Sequence, residues 1–203
     1  LVESSNIDRI NIKDLQPPYV VKPVYQAGSE CVYLTEEGRD VIQIAREVIK
    51  CDPMGRALIQ EYVEGIHGSI SVIYGKNNYL LFSLNLQLIV RNGNKLKFTG
   101  GILPIRNAAY IGEAEAIVNK LFRKYPELRG YIGLDVVWNE ENMFVIEVNP
   151  RPTTSIVGIY EVFPQVGEYL VKSMIQHENN KERHCLGDLV REYAYYAILN
   201  KHI

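Results

Sequence analysis

Two apolar stretches joined by four turn-forming residues constrain this chain more than any other feature. Tyr131–Trp138 (YIGLDVVW) and Met143–Val148 (MFVIEV) are dense in β-branched and aromatic residues, and Asn139–Asn142 (NEEN) separates them. Each run carries one carboxylate, Asp135 in the first and Glu147 in the second, twelve residues apart about a turn centred near Glu141. An odd-length loop there makes the two direct cross-strand neighbours. Like charges placed opposite each other are destabilising, so such a pair implies a cation between them. Strand side chains alternate, so Asn149 shares the face of Glu147. Hard divalent ions take oxygen ligands, and Mg²⁺ commonly takes one or two carboxylates plus phosphate oxygens. Asp135, Glu147 and Asn149 are therefore candidate ligands for one or two Mg²⁺, with Mn²⁺ possible at the same oxygens. Arg151 lies just beyond and can meet a phosphoryl group or a carboxylate in a bidentate way. A hairpin with one solvated face is the alternative, but the near-continuous apolar run around Glu147 and Asn149 argues against it.

The chain has 203 residues, a formal charge of -2 and 47% hydrophobic residues, enough for one sizeable core or two small lobes. That charge gives no reason to propose nucleic acid or an anionic membrane as partner. No apolar run reaches the length of a membrane span. Cys31, Cys51 and Cys185 are dispersed, which argues against a disulfide framework and fits a reducing cytosol, hence a cytoplasmic protein. The first residue is not Met, and the chain reads as a fragment of something longer.

Periodicity and breakers place the other elements. Strands are expected at Tyr19–Val24, Cys31–Leu34, Ala57–Val63, Ser69–Tyr74, Tyr79–Val90 and Lys95–Leu103, with a hairpin turn at Asn92-Gly93. Helices are expected at Arg39–Lys50, at Ala108–Tyr125, at Ile156–His177 with a bend at Pro164, and at Leu186–Asn200, with a polar break at Asn179–Arg183. Helices and mainly antiparallel hairpins in two blocks predict an α+β chain.

Further candidates flank these elements. Lys22 ends an apolar strand before a loop containing Gly28 and Ser29, whose backbone N–H groups can approach phosphate oxygens. The stretch ALIQEYVEG ends a strand in a linker whose free main-chain groups can read an adenine edge, with Glu64 or His67 placed for ribose hydroxyls. An ordinary loop histidine is an equal reading of His67. Thr153, Thr154 and Ser155 stand between the carboxylate strand and a helix N-terminus, a natural place for a substrate carboxylate; simple N-capping by Ser155 is the other reading. Asn85 and Gln87 share a strand face and either line a pocket or form an exposed polar face.

YVVKPVYQAGS, LIQEYVEG and GYIGLDVVW followed by VIEVNPR together resemble the ATP-grasp superfamily of carboxylate–amine ligases, from about Pro18 to about Gly158. The resemblance implies two α+β lobes with the nucleotide between antiparallel sheets. Residues 1–65 would be part of the small lobe, and 66–203 the large lobe with the metal site and C-terminal helices. It implies that Lys22 holds ATP phosphates, with Gly28-Ser29 as the flap over them. Gln60, Glu61, Tyr62 and Val63 would form the adenine hinge, read through the backbone of Glu61 and Val63. The ribose-facing acid of many members falls near His67, with Glu64 as a substitute. Asp135, Glu147 and Asn149 match the Mg²⁺ ligands. Some relatives carry an arginine two residues before the metal-binding Asp; that position here is Gly133, and Arg151 takes over the charge role. The resemblance also implies an N-terminal domain and a second ATP-binding lysine upstream of Leu1. NPRPTTSIVGI, with SLNLQ (Ser83–Gln87) and GGILP (Gly100–Pro104), resembles the archaeal-type tyramine–glutamate ligases of methanofuran biosynthesis.

Such enzymes activate a carboxylate as an acyl phosphate and couple it to an amine; the implied substrates are the glutamate side chain and tyramine. Catalysis is mostly positioning and charge neutralisation, which assigns Lys22 and Arg151 catalytic roles beside Mg²⁺. Another ATP-grasp amino-acid ligase, a small-molecule kinase and a nucleotide-binding module without turnover are the alternatives. Oligomeric state is left open by the sequence.

Overall fold

The computed structural model describes residues 1–3, 6–7, 10–25, 29–175 and 183–197. The chain divides into two compact units, Leu1–Val63 with Ile89–Thr99, and Glu64–Leu88 with Gly100–Ile203.

In the first unit, β1 (Val2–Glu3), β4 (Arg56–Glu61), β2 (Tyr19–Pro23) and β3 (Tyr33–Thr35) are neighbours in that order, all antiparallel. The tip of a long hairpin joins them where Tyr33 pairs with Lys95. One helix, α1 (Gly38–Cys51), packs on this sheet. Its buried Val41, Ile44, Ala45 and Val48 recur at helical spacing. They meet Tyr19, Val21, Ala57 and Ile59 in one core. Along β2 burial alternates, so Tyr19 and Val21 face α1 while Val20 and Lys22 take the opposite face.

The loop after β2 is pinned where it leaves and where it returns. The Asp52 carboxylate accepts from the Tyr25 N–H at 2.7 Å. Cys31 and Cys51 form a disulfide, which corrects the reading that dispersed cysteines argue against disulfides. Helix α1 carries Cys51 back to the loop, a closure that a spacing of 20 residues does not reveal. Cys185 is the free cysteine. Cysteine usage therefore gives no support to a reducing compartment.

In the second unit, β5 (Ile66–Tyr74) pairs antiparallel with β6 (Tyr79–Asn92) and β8 (Gly130–Trp138), and β8 pairs with β9 (Met143–Asn149). On the other side of β6 lies β7 (Lys95–Leu103). Helix α2 (Ala108–Lys124) covers one face, closing a core of Ile70, Val72, Phe82, Leu84, Ile132, Leu134 and Val136 with Ala114 and Val118. Asn107 caps α2, accepting from the Ala109 and Tyr110 N–H groups. The opposite face meets α3 (Ser155–Val162) and α4 (Val166–Ile175) around Ile73, Leu81, Leu103, Tyr131, Ile159 and Val166. With both faces covered, β5 and β8 bury nearly every residue, which explains their continuous apolar sequence.

Two helical expectations are corrected. The segment after Ser155 is not one bent helix: α3 stops at Val162 and α4 starts at Val166. Pro164 lies between them and cannot continue α3. The segment after Cys185 is not a long helix either. After the short strand β10 (His184–Cys185), α5 spans only Leu186–Leu189, and Ala194–Ala197 forms a strand, β11, antiparallel to Leu103–Gly100 of β7. Residues 176–182 and 198–203, where parts of both expected helices fall, lie outside the described residues. No helix among the described residues is long and apolar enough to cross a membrane.

Candidate functional site

The register of β8 and β9 sets the geometry of the site. Asp135 pairs directly with Glu147, and Gly133 with Asn149. The turn arithmetic that anticipated this pairing is not what produces it. Trp138, Val137 and Val136 pair with Met143, Phe144 and Val145, a register set by the four-residue turn Asn139–Asn142. The register then shifts between Val136 and Asp135, leaving Ile146 as an extra residue. A bulge of this kind re-aims the side chains that follow it. It brings the two half-buried carboxylates face to face.

The face that carries Asp135 is polar across several strands. Ser69 pairs with Asp135 and with Asn85; Ser71 pairs with Gly133 and with Ser83. Gln87 Nε2 donates to Asp135 Oδ1 at 2.8 Å, and Asn149 Nδ2 donates to Asp135 Oδ2 at 3.3 Å. Both oxygens of this carboxylate are thus held by amide donors. Asn85 is fully buried; its Nδ2 donates to Ser69 Oγ and Ser71 Oγ, and its Oδ1 accepts from Ser83 Oγ. An exposed polar face does not describe this pair: Asn85 is buried and braces three serines, and Gln87 holds Asp135.

The donor set suits Mg²⁺. Two carboxylates face each other, and the amide oxygen of Asn149 is not used in its bond to Asp135. Among the described residues no group of three His, Cys, Asp or Glu side chains could hold a metal, so a neutral amide would have to be the third protein ligand. A cation that keeps waters and phosphate oxygens in its shell needs no more from the protein.

Thr153, Thr154 and Ser155 follow directly. Thr153 rests on Gly133, where a Cβ would lie 2.3 Å from Thr153 Cγ2. Ser155 is buried and its Oγ lies 2.9 Å from Ser71 Oγ, 2.9 Å from Thr153 Oγ1 and 3.3 Å from the Tyr131 hydroxyl. Thr154 occupies the position before α3 and is exposed, with no side-chain cap bond. Arg151 is exposed, its N–H donating to the Asn149 carbonyl and its Nη1 to the Pro152 carbonyl. Half-buried His67 on β5, opposite Val137 of β8, has its pKa lowered by burial. Glu64 is exposed.

In the first unit, Lys22 pairs with Leu58 and Val20 with Gln60, so Lys22 and Gln60 share the face away from α1. The Tyr62 N–H donates to the Pro18 carbonyl. Antiparallel alternation then turns the main-chain groups of Glu61 to the other edge of β4. The Glu61 carboxylate accepts from the Gln16 N–H at 2.7 Å. Ser29 sits in the left-handed region at φ 60°, and Gly28 lies outside the described residues.

Residues 5–155 match the family described as the ATP-grasp domain. The chain belongs to the ATP-grasp family. It is 40% identical to the tyramine–L-glutamate ligase of Methanocaldococcus fervens over 128 residues, which are 62% of this chain and 39% of that protein. The enzyme of the same name from Methanocaldococcus jannaschii is 36% identical over 62% of this chain and 37% of its own length. This ATP-grasp chain thus spans less than two fifths of the length of those relatives. Its fold is also that of the biotin carboxylase domain of Hydrogenobacter thermophilus 2-oxoglutarate carboxylase, solved with MgADP, ADP and bicarbonate. The TM-score is 0.70 at 16% identity, over 95% of this chain and 43% of that one.

Tyr196 is the neighbour of this site that sequence reasoning missed. It lies on β11, within the stretch where the sequence predicts a helix, and its phenol is hydrogen-bonded to Ser155. The sequence AYYA carries no apolar–polar alternation to set against the helical pattern, and the alternating burial of β11 is seen only in the structure.

Proposed function

We propose that this chain is the nucleotide- and metal-binding part of an ATP- and Mg²⁺-dependent ligase that joins the side-chain carboxylate of glutamate to the amine of tyramine. The observation that carries the reading is the Asp135–Glu147 pair with Asn149 beside it, in a chain of this family. The named relatives support the choice of acid and amine. Asp135, Glu147 and Asn149 hold the metal, with Gln87 orienting Asp135. Bound there, Mg²⁺ would neutralise charge on the phosphate oxygens. Lys22 and Ser29, with Gly28, bind phosphate; Gln60, Glu61, Tyr62 and Val63 bind the base; Glu64 or His67 meets the ribose. A carboxylate oxygen of the acid attacks the γ-phosphorus and ADP leaves. The amine nitrogen then attacks the acyl carbon, phosphate leaves, and the nitrogen gives up a proton. Arg151 faces the transferred phosphoryl, and Thr153 to Ser155 shape the acid pocket.

Mg²⁺-dependent ADP release by the full-length protein tests this, with L-glutamate, tyramine, both or neither. Release only with both, abolished by Glu147→Gln, supports the ligase. Release with one substrate alone points to a kinase or another acid. Silence with every pair despite ATP binding sinks the substrate assignment.

A further inference from the structure

The turn Ser29–Cys31, between β2 and β3, is built on backbone that its own residues disfavour. Ser29 lies at φ 60° and Cys31 at φ 57°, and neither is glycine. A residue with a Cβ disfavours the left-handed region by about tenfold. Two such residues within three positions persist only where their surroundings hold them, and such strain gathers at ligand clamps and switches. A turn of this kind brings backbone N–H groups to one side, the form that cradles phosphate oxygens.

The disulfide ties one of the two strained residues, Cys31, to Cys51, the last residue of α1. Hydrogen bonds hold the chain on either side. Upstream, the Tyr25 N–H donates to the Asp52 carboxylate. Downstream, the Leu96 N–H donates to the Val32 carbonyl at 3.0 Å, and the Leu34 N–H to the Asn94 carbonyl at 2.7 Å. All of these bonds lie within the first unit, and none depends on the S–S bond. Reduction therefore frees the turn and leaves its flanks in place. Cys31 and Cys51 are both half-buried, so a small dithiol can reach them.

We propose that the Cys31–Cys51 pair is a redox switch on ATP affinity: the disulfide holds the Ser29–Cys31 turn in its phosphate-binding shape, and reduction by a dithiol weakens ATP binding without unfolding the unit. This rests on the reading above in which Ser29 binds phosphate. In the exchange a thiolate of the dithiol attacks one sulfur of the pair, the S–S bond breaks, and a mixed disulfide forms. The second thiol of the dithiol then displaces the protein sulfur. Two electrons and two protons pass to Cys31 and Cys51, and the dithiol leaves as a disulfide. Apparent affinity then falls with the fraction of protein whose turn keeps the binding shape.

The test is calorimetric binding of Mg²⁺-ATP, and separately of adenosine, to the full-length protein before reduction, after dithiothreitol and after reoxidation. The Kd for ATP should rise about tenfold on reduction and return on reoxidation. The Kd for adenosine, which has no phosphates, should hold. Cys31→Ser with Cys51→Ser, Cys185 intact, should bind ATP like the reduced protein and ignore dithiothreitol. Cys31→Gly with Cys51→Ser accepts the left-handed backbone without a cross-link and should recover part of the lost affinity. A glycine pair no tighter than the serine pair overturns the inference. An ATP Kd equal in both redox states overturns it and leaves the nucleotide site standing. Joint loss of ATP and adenosine on reduction also overturns it, because the unit and not the turn has then come apart. A protein that binds no ATP in either state overturns the nucleotide reading as well.

Discussion

Asp135 and Glu147 face each other across β8 and β9 because Ile146 is an extra residue in the ladder. Without that shift, the register of the Asn139–Asn142 turn would set Asp135 opposite Ile146. The cost of two like charges in direct opposition is about 0.2–1 kcal/mol. Glu147→Gln should therefore leave the metal-free protein as stable as the wild type or slightly more so. It should also remove the rise in melting temperature that Mg²⁺-ATP gives the wild type. Thermal melts with and without Mg²⁺-ATP check both halves. A variant that is stabilised by Mg²⁺-ATP as strongly as the wild type would remove Glu147 from the metal site.

Gln87 acts on the same carboxylate from a strand away. Its Nε2 fixes Asp135 Oδ1, and loss of a partner that orients a metal ligand typically lowers metal affinity by about tenfold to 100-fold. Gln87→Leu should shift the Mg²⁺ dependence of ADP release to higher Mg²⁺ by that factor at saturating ATP. The maximal rate should recover at high Mg²⁺, because the ligands themselves remain.

Much of this was legible because strands buried on both faces announce themselves. The apolar run Tyr131–Trp138 could only be an interior strand, so its one carboxylate stood out at once. The pairing of Asp135 with Glu147 was legible too, although the bulge that produces it was not. A bulge costs one residue and leaves no composition signal when that residue is an isoleucine among valines. Tyr196 was illegible for another reason. Its neighbours are glycines distant in sequence, and the four residues AYYA of β11 carry no apolar–polar alternation. The disulfide was hidden likewise, since its closure depends on the direction in which α1 runs.

Gly133 and Thr153 form a coupled pair. A methyl group at 133 would lie 2.3 Å from Thr153 Cγ2, and overpacking of this kind costs about 1–3 kcal/mol. Gly133→Ala should destabilise the protein and displace the segment that carries Ser155. Adding Thr153→Ala should recover most of that loss, because the clashing methyl is gone. A double-mutant cycle by urea unfolding measures the coupling, and strict additivity would disprove the contact.

Asp52 holds the start of the loop after β2. Burial alone would raise its pKa, yet the N–H groups of Tyr25, Met54, Arg56 and Val24 outweigh that and hold it below the usual carboxylate value. A carboxylate whose folded pKa is depressed contributes stability that is full above its unfolded pKa and fades as pH falls through the folded one. The melting temperature should therefore drop as the solution is acidified below about pH 4. Asp52→Asn should be less stable at neutral pH by about 2 kcal/mol and should show a flatter decline over the same acid range.

The Cys31–Cys51 disulfide holds the other end of that loop, so the segment between Tyr25 and Cys31 is anchored to adjacent residues at the end of α1. A cross-link closing a loop of 20 residues restricts the unfolded chain by about 3 kcal/mol. Reduction by dithiothreitol, or Cys31→Ser, should lower stability by that order in urea unfolding at neutral pH. Asp52 still tethers Tyr25 in the reduced protein, so its native state should persist at low urea. Combining Cys31→Ser with Asp52→Asn releases both ends. If the loop is the element they share, the double variant should lose order at Ser29, read by amide hydrogen exchange, beyond the sum of the single effects. Equal exchange at Ser29 in all four proteins would mean that neither anchor governs the loop.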